Sequence, residues 1–326
     1  MTSDAVTEIA HDIWRITLPL PFRLRAVHLY LVRGEDGYSL IDAGLDTQSA
    51  REVYDAALGA LGVRPEAIRR LYVTHMHPDH IGMAGRHAAA GAAVFIMREE
   101  ERRARYVWGS GPLDAWVAFL ERHGMVTGAA DSVMRAAADL RKCVTLPDVF
   151  QYVADADIVR VGDRACRVVW TPGHSDHHYV LVDDAAKLIF AGDHLLPSIT
   201  PNIGLYPECR PDPLGDYLGS LERFAREGQC DVLPAHGELY ADLPKRLGEL
   251  RAHHDERLVG VRARVADGDG AGVTAFDVVR HFWGEKLSAH EVRFALVEVA
   301  AHLEYLRLRD ELTLTTADGV DRYRSG

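Results

Sequence analysis

Cysteine is scarce in this chain, and basic charge is in deficit. Four cysteines occur in 326 residues, Cys143, Cys166, Cys209 and Cys230, and none shares a C-x-x-C spacing. That argues against a thiolate zinc site or a thioredoxin-type motif and suits reduced, partly buried thiols in a cytosolic protein. Lys and Arg number 37 against 48 Asp and Glu, a formal net charge of −11. A phosphate-tracking protein wants a basic face, so nucleic acid is not the expected partner. An uncharged apolar run of roughly eighteen residues or more is also missing, which excludes a sizeable helical membrane domain. Met1 to Trp14 hold Asp4, Glu8 and Asp12 but no basic residue and no apolar stretch. A secretory leader is therefore not expected, and the cytoplasm is the expected location. Internal repeats and low-complexity tracts are lacking as well.

What is present fits a globular chain. With 48% hydrophobic and 26% charged residues, disorder over most of the length is excluded. The length allows two average domains, or one larger α/β domain with an appendage. Histidine stands out: there are 17, several grouped in short turn-like segments, and such grouping points to metal chemistry more than to packing.

Short strands alternate with helices through most of the chain. Val27–Val32 and Tyr38–Ile41 read as a hairpin, the second strand closing on Asp42-Ala43-Gly44. A helix is expected over about Ala50–Leu61, with Ser49 and Glu52 as a capping box. The strand Leu71–Thr74 runs into His75-Met76-His77-Pro78-Asp79-His80, and one helix is expected over roughly Asp79–Ala90. Arg98–Ala156 reads as a mostly helical insertion broken at Gly109–Pro112 and Gly124. Strands resume at Ile158–Val161, Cys166–Trp170, His178–Val182, Leu188–Ala191 and Cys230–Leu233, followed by a long helix over Leu243–Val265. Asp267-Gly268-Asp269-Gly270-Ala271-Gly272 is the clearest linker. After it come two helix starts, Thr274 with Asp277 and Ser288 with Glu291, and a small hairpin around Asp318-Gly319. Helix, helix, hairpin suggests a winged-helix-like unit.

The His75–His80 segment offers four potential ligands in six residues at a strand-to-helix junction. Its first two histidines can face one side of a small cavity, while Asp79 and His80 leave the first helical turn toward the other. Three more segments supply one group each directly after a strand: Thr171-Pro172-Gly173-His174, Phe190-Ala191-Gly192-Asp193 and Leu233-Pro234-Ala235-His236-Gly237. Loops at one sheet edge are where α/β proteins gather their chemistry. Seven such groups are about what two four- to five-coordinate ions need, with a shared carboxylate and water. Imidazole and carboxylate without thiolate favour zinc, and would also accept iron or manganese.

In this order the motifs H-x-H-x-D-H, P-G-H, the lone Asp after Gly192 and the final His before Gly237 resemble those of the metallo-β-lactamase superfamily, with Asp42-Ala43-Gly44 as a fifth match. The resemblance covers about Ile9 to Val265. It implies an αββα sandwich within the α/β class, a metallo-β-lactamase domain over 1–266 with the helical insertion at about 98–156, and a dinuclear site at one edge. Carried over by position, His75, His77 and His174 hold one metal, Asp79, His80 and His236 the second, and Asp193 bridges them. Asp42 would support a ligand or the bridging water. The segment around His174 is similar to the glyoxalase-II-like branch. A cysteine is usual at the Asp193 position in true β-lactamases, which argues against antibiotic hydrolysis. Residues 267–326 resemble the winged-helix tail of the beta-lactamase-like endoribonuclease branch, in the pair His254 and Arg257 and in Ala301-His302-Leu303-Glu304-Tyr305-Leu306. The insertion departs from the compact forms of that branch and is expected to cover the metal edge.

Two divalent cations flanking one water lower its pKa from near 16 towards about 7. The expected function is therefore a dinuclear zinc hydrolase that attacks an ester, thioester or lactone of a small organic substrate with a metal-bridging hydroxide, Asp79 steering the water proton. The competing readings are a metal-dependent endoribonuclease and a metal-binding scaffold with little turnover. From Arg262 to Arg324 nine basic side chains face eleven acidic ones, which disfavours an RNA-binding arm. The Pro-rich loop Pro197–Pro213 leaves from Asp193, so Asn202 or Tyr206 is a candidate donor to substrate. Trp108, Trp116 and Phe119 would either wall an apolar pocket or pack the insertion onto the core. His177, His178 and His194 are expected as neighbours of ligands, and His253 and His254 as helix-surface or inter-domain contacts. The tail could mediate a homodimer.

Overall fold

The computed structural model describes residues 5–109, 111, 114–268 and 270–326. Met1 to Asp4, Ser110 and Pro112 of the expected break, and Asp269 of the expected linker lie outside them. Among the described residues the first sheet runs in chain order: β1 (Val6–Ala10), β2 (Ile13–Pro19), β3 (Ala26–Gly34), β4 (Gly37–Ile41), β5 (Ile68–Tyr72), β6 (Ala93–Met97) and β7 (Gln151–Val153). The second contains β8 (Ile158–Val161), β9 (Arg164–Trp170), β10 (Tyr179–Asp183), β11 (Leu188–Gly192) and β12 (Asp231–Pro234), in the order β12-β11-β10-β9-β8. A hairpin of β13 (Leu312–Ala317) and β14 (Val320–Ser325) stands apart.

Alternation along the strands decides how the layers stack. Tyr30, Val32, Ile41 and Tyr72 from the first sheet meet Val168, Leu181, Phe190 and Leu233 from the second in one buried layer. The opposite face of the first sheet (Leu29, Leu31, Leu40, Leu71) buries α1 (Gln48–Leu61) through Tyr54 and Leu58. The opposite face of the second sheet carries α7 (Pro213–Phe224) and α8 (Leu243–Ala266). This is the expected αββα sandwich. On the second helical layer sit α9 (Ala275–Trp283) and α10 (Ala289–Arg307), so helix, helix and hairpin follow the expected order. Both helices start where expected, and each start is a capping box, Thr274 with Asp277 and Ser288 with Glu291. Among the described residues no helix is long and apolar enough to cross a membrane.

Local expectations failed where tertiary hydrogen bonds took over the backbone. The single helix expected from Asp79 to Ala90 is two, α2 (Pro78–Ile81) and α3 (Ala84–Ala89). Between them Met83 N–H donates to the Gly44 carbonyl at 3.2 Å, and the Gly82 carbonyl accepts from Thr145 at 2.7 Å. A Cβ on Gly82 would lie 2.5 Å from the Gly44 oxygen, so the interruption lets α2 press onto the loop after β4. Helix α1 begins earlier than expected: Thr47, not Ser49, caps it, its side chain accepting from Ala50 N–H. The insertion is helical through α4 (Arg98–Trp108), α5 (Asp114–Arg122) and α6 (Thr127–Ala138), but its end returns to the first sheet as β7.

Strand direction positions the site. β4, β5 and β6 are parallel, so their C-terminal ends share one edge. β11 and β12 are parallel, and β9 runs with them because both β9 and β11 are antiparallel to β10. The loops after β5, β9, β11 and β12 carry the candidate ligands, and the loop after β4 carries Asp42.

Candidate metal centre

Each ligand-bearing loop is fixed by its own backbone constraints. After β5, His77 is extended and caps α2, with Pro78 at the first helical position. That places Asp79 and His80 in the first turn, pointing away from the strand that delivers His75. In the loop after β9, Gly173 has φ 137°, and a Cβ there would lie 2.5 Å from Tyr217 Cβ. Gly192, at φ 50°, lets the chain turn beside His178, whose Nε2 a Cβ would meet at 2.7 Å. Asp193 follows at once, and its N–H donates to that same His178 nitrogen at 3.2 Å.

All seven predicted ligands converge. His75, His77, His174 and Asp193 form one group and Asp79, His80 and His236 a second, with the ligand atoms inside each within 4.8 Å of one another. His75 Nε2 stands 2.9 Å from His77 Nδ1. Asp193 touches both groups: one carboxylate oxygen is 3.4 Å from His174 Nε2, the other 3.3 Å from both His80 Nε2 and His236 Nε2. An Asp79 oxygen lies 3.4 Å from His236 Nε2 and 3.9 Å from His80 Nε2.

The outer face of each ring explains why the inner nitrogens are free. His80 Nδ1 donates to Asp42 at 2.8 Å, His174 Nδ1 to the Asn202 carbonyl at 2.8 Å and His236 Nδ1 to the Ala26 carbonyl at 2.7 Å. His75 Nδ1 donates to Thr74 Oγ1 at 3.0 Å, that hydroxyl being itself a donor to Asp42. An N–H on the outer nitrogen leaves a lone pair on the inner one. Nε2 of His80, His174 and His236 and one oxygen of Asp193 are buried with no hydrogen-bond partner. Four orphaned polar atoms at one point would be costly in a finished core, whereas a bound cation satisfies all of them. The residues present therefore fit metal ions.

Electrostatics divide the rings into two pairs. Burial, reinforced by neighbouring imidazoles, holds His75 and His77 well below the usual histidine range, which keeps them neutral. Burial works to raise the Asp79 carboxyl, but His80 and His236 outweigh it and hold it at about 2. Asp193 is likewise depressed: His236 and His80 win over burial. The same carboxylates raise His236 to about 10 and His80 well above the usual histidine range, against their burial, so without a metal these two rings hold a proton on the inner nitrogen that a bound cation would displace.

Asp42 is held in the left-handed region, φ 61°, and its carboxylate gathers Thr74 N–H at 2.8 Å, the Thr74 hydroxyl and His80. His178 is wedged between Thr171 Oγ1 and Asp193 N–H. His194 is fully buried, and His254 packs against His302 at 3.2 Å as an inter-helix contact. His177 stacks on Trp170. Asn202 and Tyr206 line the cavity above the site, but their polar ends are engaged. Asn202 Nδ2 donates to the Phe294 carbonyl and to Glu298, and Tyr206 OH donates to Asn202 Oδ1. Their visible role is to tie the loop that receives His174 to α10. The cavity holds about 420 Å³. Trp108 and Trp116 of the insertion wall it, as does α10 through Phe294, while Phe119 packs against the core. The insertion thus covers the metal edge as expected; the contribution of α10 was not foreseen.

Glu100 was missed. It stands in an Arg98–Arg103 charge run that reads as a solvated helix face, yet it is fully buried. Its carboxylate accepts from Met76 N–H at 2.8 Å, His177 N–H at 3.1 Å and the Ser175 hydroxyl. Burial pushes its carboxyl up, against the pull of these donors. One side chain thereby clamps the His75–His77 loop to the His174 loop. Glu100→Gln turns one accepting oxygen into a donor facing an N–H. It is expected to cost about 1–3 kcal/mol in denaturant unfolding and to weaken metal binding about 10–100-fold in chelator competition. Wild-type values for both would show that the clamp is idle.

Residues 23–236 match the family described as Metallo-beta-lactamase superfamily. The chain belongs to this superfamily. Residues 265–326 match a second family, metallo-beta-lactamase-like, C-terminal domain. The chain is 26% identical over 323 residues to the probable metallo-hydrolase YqjP of Bacillus subtilis (strain 168), covering 93% of this chain and 94% of that protein. It is 25% identical over 180 residues to an atrochrysone carboxyl ACP thioesterase of Claviceps purpurea (strain 20.1), covering 53% of this chain and 56% of that protein, so it spans about half that relative's length. Among solved structures, a metallo-beta-lactamase family protein from Thermus thermophilus superposes with TM-score 0.87 at 31% identity, covering 98% of this chain and 100% of that one. A beta-lactamase domain protein from Burkholderia ambifaria gives TM-score 0.87 at 30% identity, covering 98% and 94%. Family and relatives together identify a metallo-hydrolase.

Proposed function

We propose that this metallo-hydrolase opens an ester, thioester or lactone of a small organic acyl substrate, using two zinc ions held by His75, His77, His174 and by Asp79, His80, His236, with Asp193 between them. The observation that carries this reading is the orphaned set of Nε2 and carboxylate atoms at the floor of a mainly apolar cavity. Five imidazoles and two carboxylates suit zinc and would accept iron or manganese. A cation pair there supplies a water that is acidic near neutral pH and a positive charge for the oxygen of the attacked carbonyl. The chain supplies the rest. Asp79, unprotonated at neutral pH, faces the cavity and can accept a proton of the attacking water on its carboxylate. Asp42 holds His80 in place, and Met76, Trp108, Trp116 and Phe294 exclude bulk water from the acyl chain. We read 1–266 as the catalytic domain and 267–326 as a winged-helix-like domain closing the cavity. The four free cysteines suit the cytoplasm.

The test is a panel of nitrophenyl esters, thiophenyl thioesters, lactones and a labelled RNA, each with metal-loaded and chelator-stripped protein. Ester or thioester hydrolysis that disappears on stripping and returns with zinc is the expected result. RNA cleavage lost in His77→Ala, with esters untouched, would replace this reading with the nuclease one. Stripping should also lower Tm: a ligand at about a thousand times its Kd adds about 4 kcal/mol. Calorimetric traces that coincide with and without metal would contradict a built metal site.

A further inference from the structure

Among the described residues, one cation in the cavity makes no ion pair with a carboxylate. Arg293, on α10, lines it beside Tyr206 and Trp116. Its Nε is buried without a hydrogen-bond partner, and no carboxylate among the described residues makes an ion pair with its guanidinium. Burial pushes the guanidinium below its usual range, and the one titratable group opposing this is the Tyr206 phenol. Among the described residues, aromatic faces lie against the charge: the Phe294 ring centroid is 4.5 Å from Cζ and that of Trp116 5.9 Å. Arg293 is half-buried, and such contacts offset little of the cost of withdrawing part of its charge from water. Neighbouring arginines are treated differently. Arg23, at the mouth, pairs with Glu291 at 2.7 Å, and Arg307, further along α10, pairs with Glu304 at 2.8 Å.

A second guanidinium shares that end of the cavity. Arg103, on α4, gives one Nη to the Pro207 carbonyl at 2.8 Å and also lines the wall. Arg103, Arg293 and Tyr206 line the same cavity, and both guanidinium charges pull the Tyr206 phenol down against its burial. Glu298, the nearby carboxylate on the wall, is already occupied by Asn202 at 3.1 Å and faces Arg257 at 3.8 Å.

We propose that the acyl substrate carries a second, anionic group remote from the bond that is cleaved, and that Arg293, assisted by Arg103, receives it. This rests on the hydrolase reading above. The chemistry recognised is an oxyanion with two or more acceptor oxygens, a carboxylate or a phosphonate or phosphate, which a planar guanidinium fork binds in pairs. The acid end sits between α4 and α10 while the acyl carbonyl reaches the metal centre. The anion thus completes the cavity electrostatically and selects for acyl groups bearing it.

The probes are thiophenyl thioesters of butyrate, glutarate and 4-phosphonobutyrate, which share a reactive end and differ at the far one. The zinc-loaded wild type should turn over at least one anionic thioester with kcat/KM about ten-fold or more above butyrate. The glutarate and phosphonobutyrate arms report which oxyanion is preferred. In Arg293→Met the anionic-to-neutral ratio should fall towards about one, and Arg293→Lys should restore part of it. A merely structural role would depress all three substrates alike and leave the ratio where it was. Wild-type selectivity near unity, or a ratio unchanged in Arg293→Met, overturns the proposal even while butyrate is hydrolysed. Should no thioester react, the ester and lactone arms of the panel above decide the hydrolase reading separately. Titration of glutarate and of inorganic phosphate into wild type and Arg293→Met by calorimetry then decides the anion site on its own: heat lost in the variant supports it, and no heat in wild type overturns it.

Discussion

Asp193→Ala is expected to abolish measurable ester hydrolysis, a loss on the order of a thousandfold or more in kcat/KM, and to drop bound metal from about two equivalents towards one or none. The reason is position. Asp193 contacts ring nitrogens from both ligand groups within 3.4 Å, so its removal unlinks the pair rather than thinning one of them. The backbone has reason to stay, because Asp193 N–H donates to His178 and the following residues remain packed under α7. The loss should therefore appear in metal content and rate with little change in circular dichroism. Elemental analysis showing two full equivalents in the variant would end the bridging assignment.

Asp42 makes a sharper separation between fold and function. Its carboxylate is buried and serves Thr74 N–H, the Thr74 hydroxyl and His80 Nδ1. Asp42→Ala leaves a buried backbone donor and a ring nitrogen unmatched, and a loss of about 2–4 kcal/mol is expected in guanidinium unfolding. It also forces a non-Gly, non-Asx residue into the left-handed region. Asp42→Asn tolerates that backbone and can still accept from Thr74 through its carbonyl oxygen. Its amide, however, meets His80 Nδ1 as a second donor and drives the ring towards the tautomer that puts a proton on Nε2, the nitrogen facing the site. Asparagine should therefore unfold within about 1 kcal/mol of wild type yet bind zinc about 10–100-fold more weakly. Equal zinc affinity in Asp42→Asn would mean that the carboxylate does not govern the ring.

The candidate ligands were legible because the segments that carry them are announced locally. A histidine or aspartate follows an apolar strand directly, and strand ends in a layered α/β fold share an edge. The element order was legible for the same reason, from apolar strands and the Thr274 and Ser288 caps. Glu100 was hidden because a charge run on a helix reads as solvent-facing; only the packing of α4 over two ligand loops turns one member inward. The division of the Asp79–Ala90 helix was hidden because Gly82 and Met83 spend their backbone groups on Gly44 and Thr145, contacts distant in sequence.

The sequence alone determined which atoms can bind metal and on which loops they ride, since ligand chemistry and strand periodicity are properties of short segments. Tertiary structure decided what closes over them. That α10 comes back across the metal edge, ties Asn202 through Glu298 and leaves Arg293 unpaired in the cavity follows from how the C-terminal helices pack on α6, α7 and α8. Such long-range packing depends on shape and volume complementarity across the whole helical layer, which no local pattern encodes.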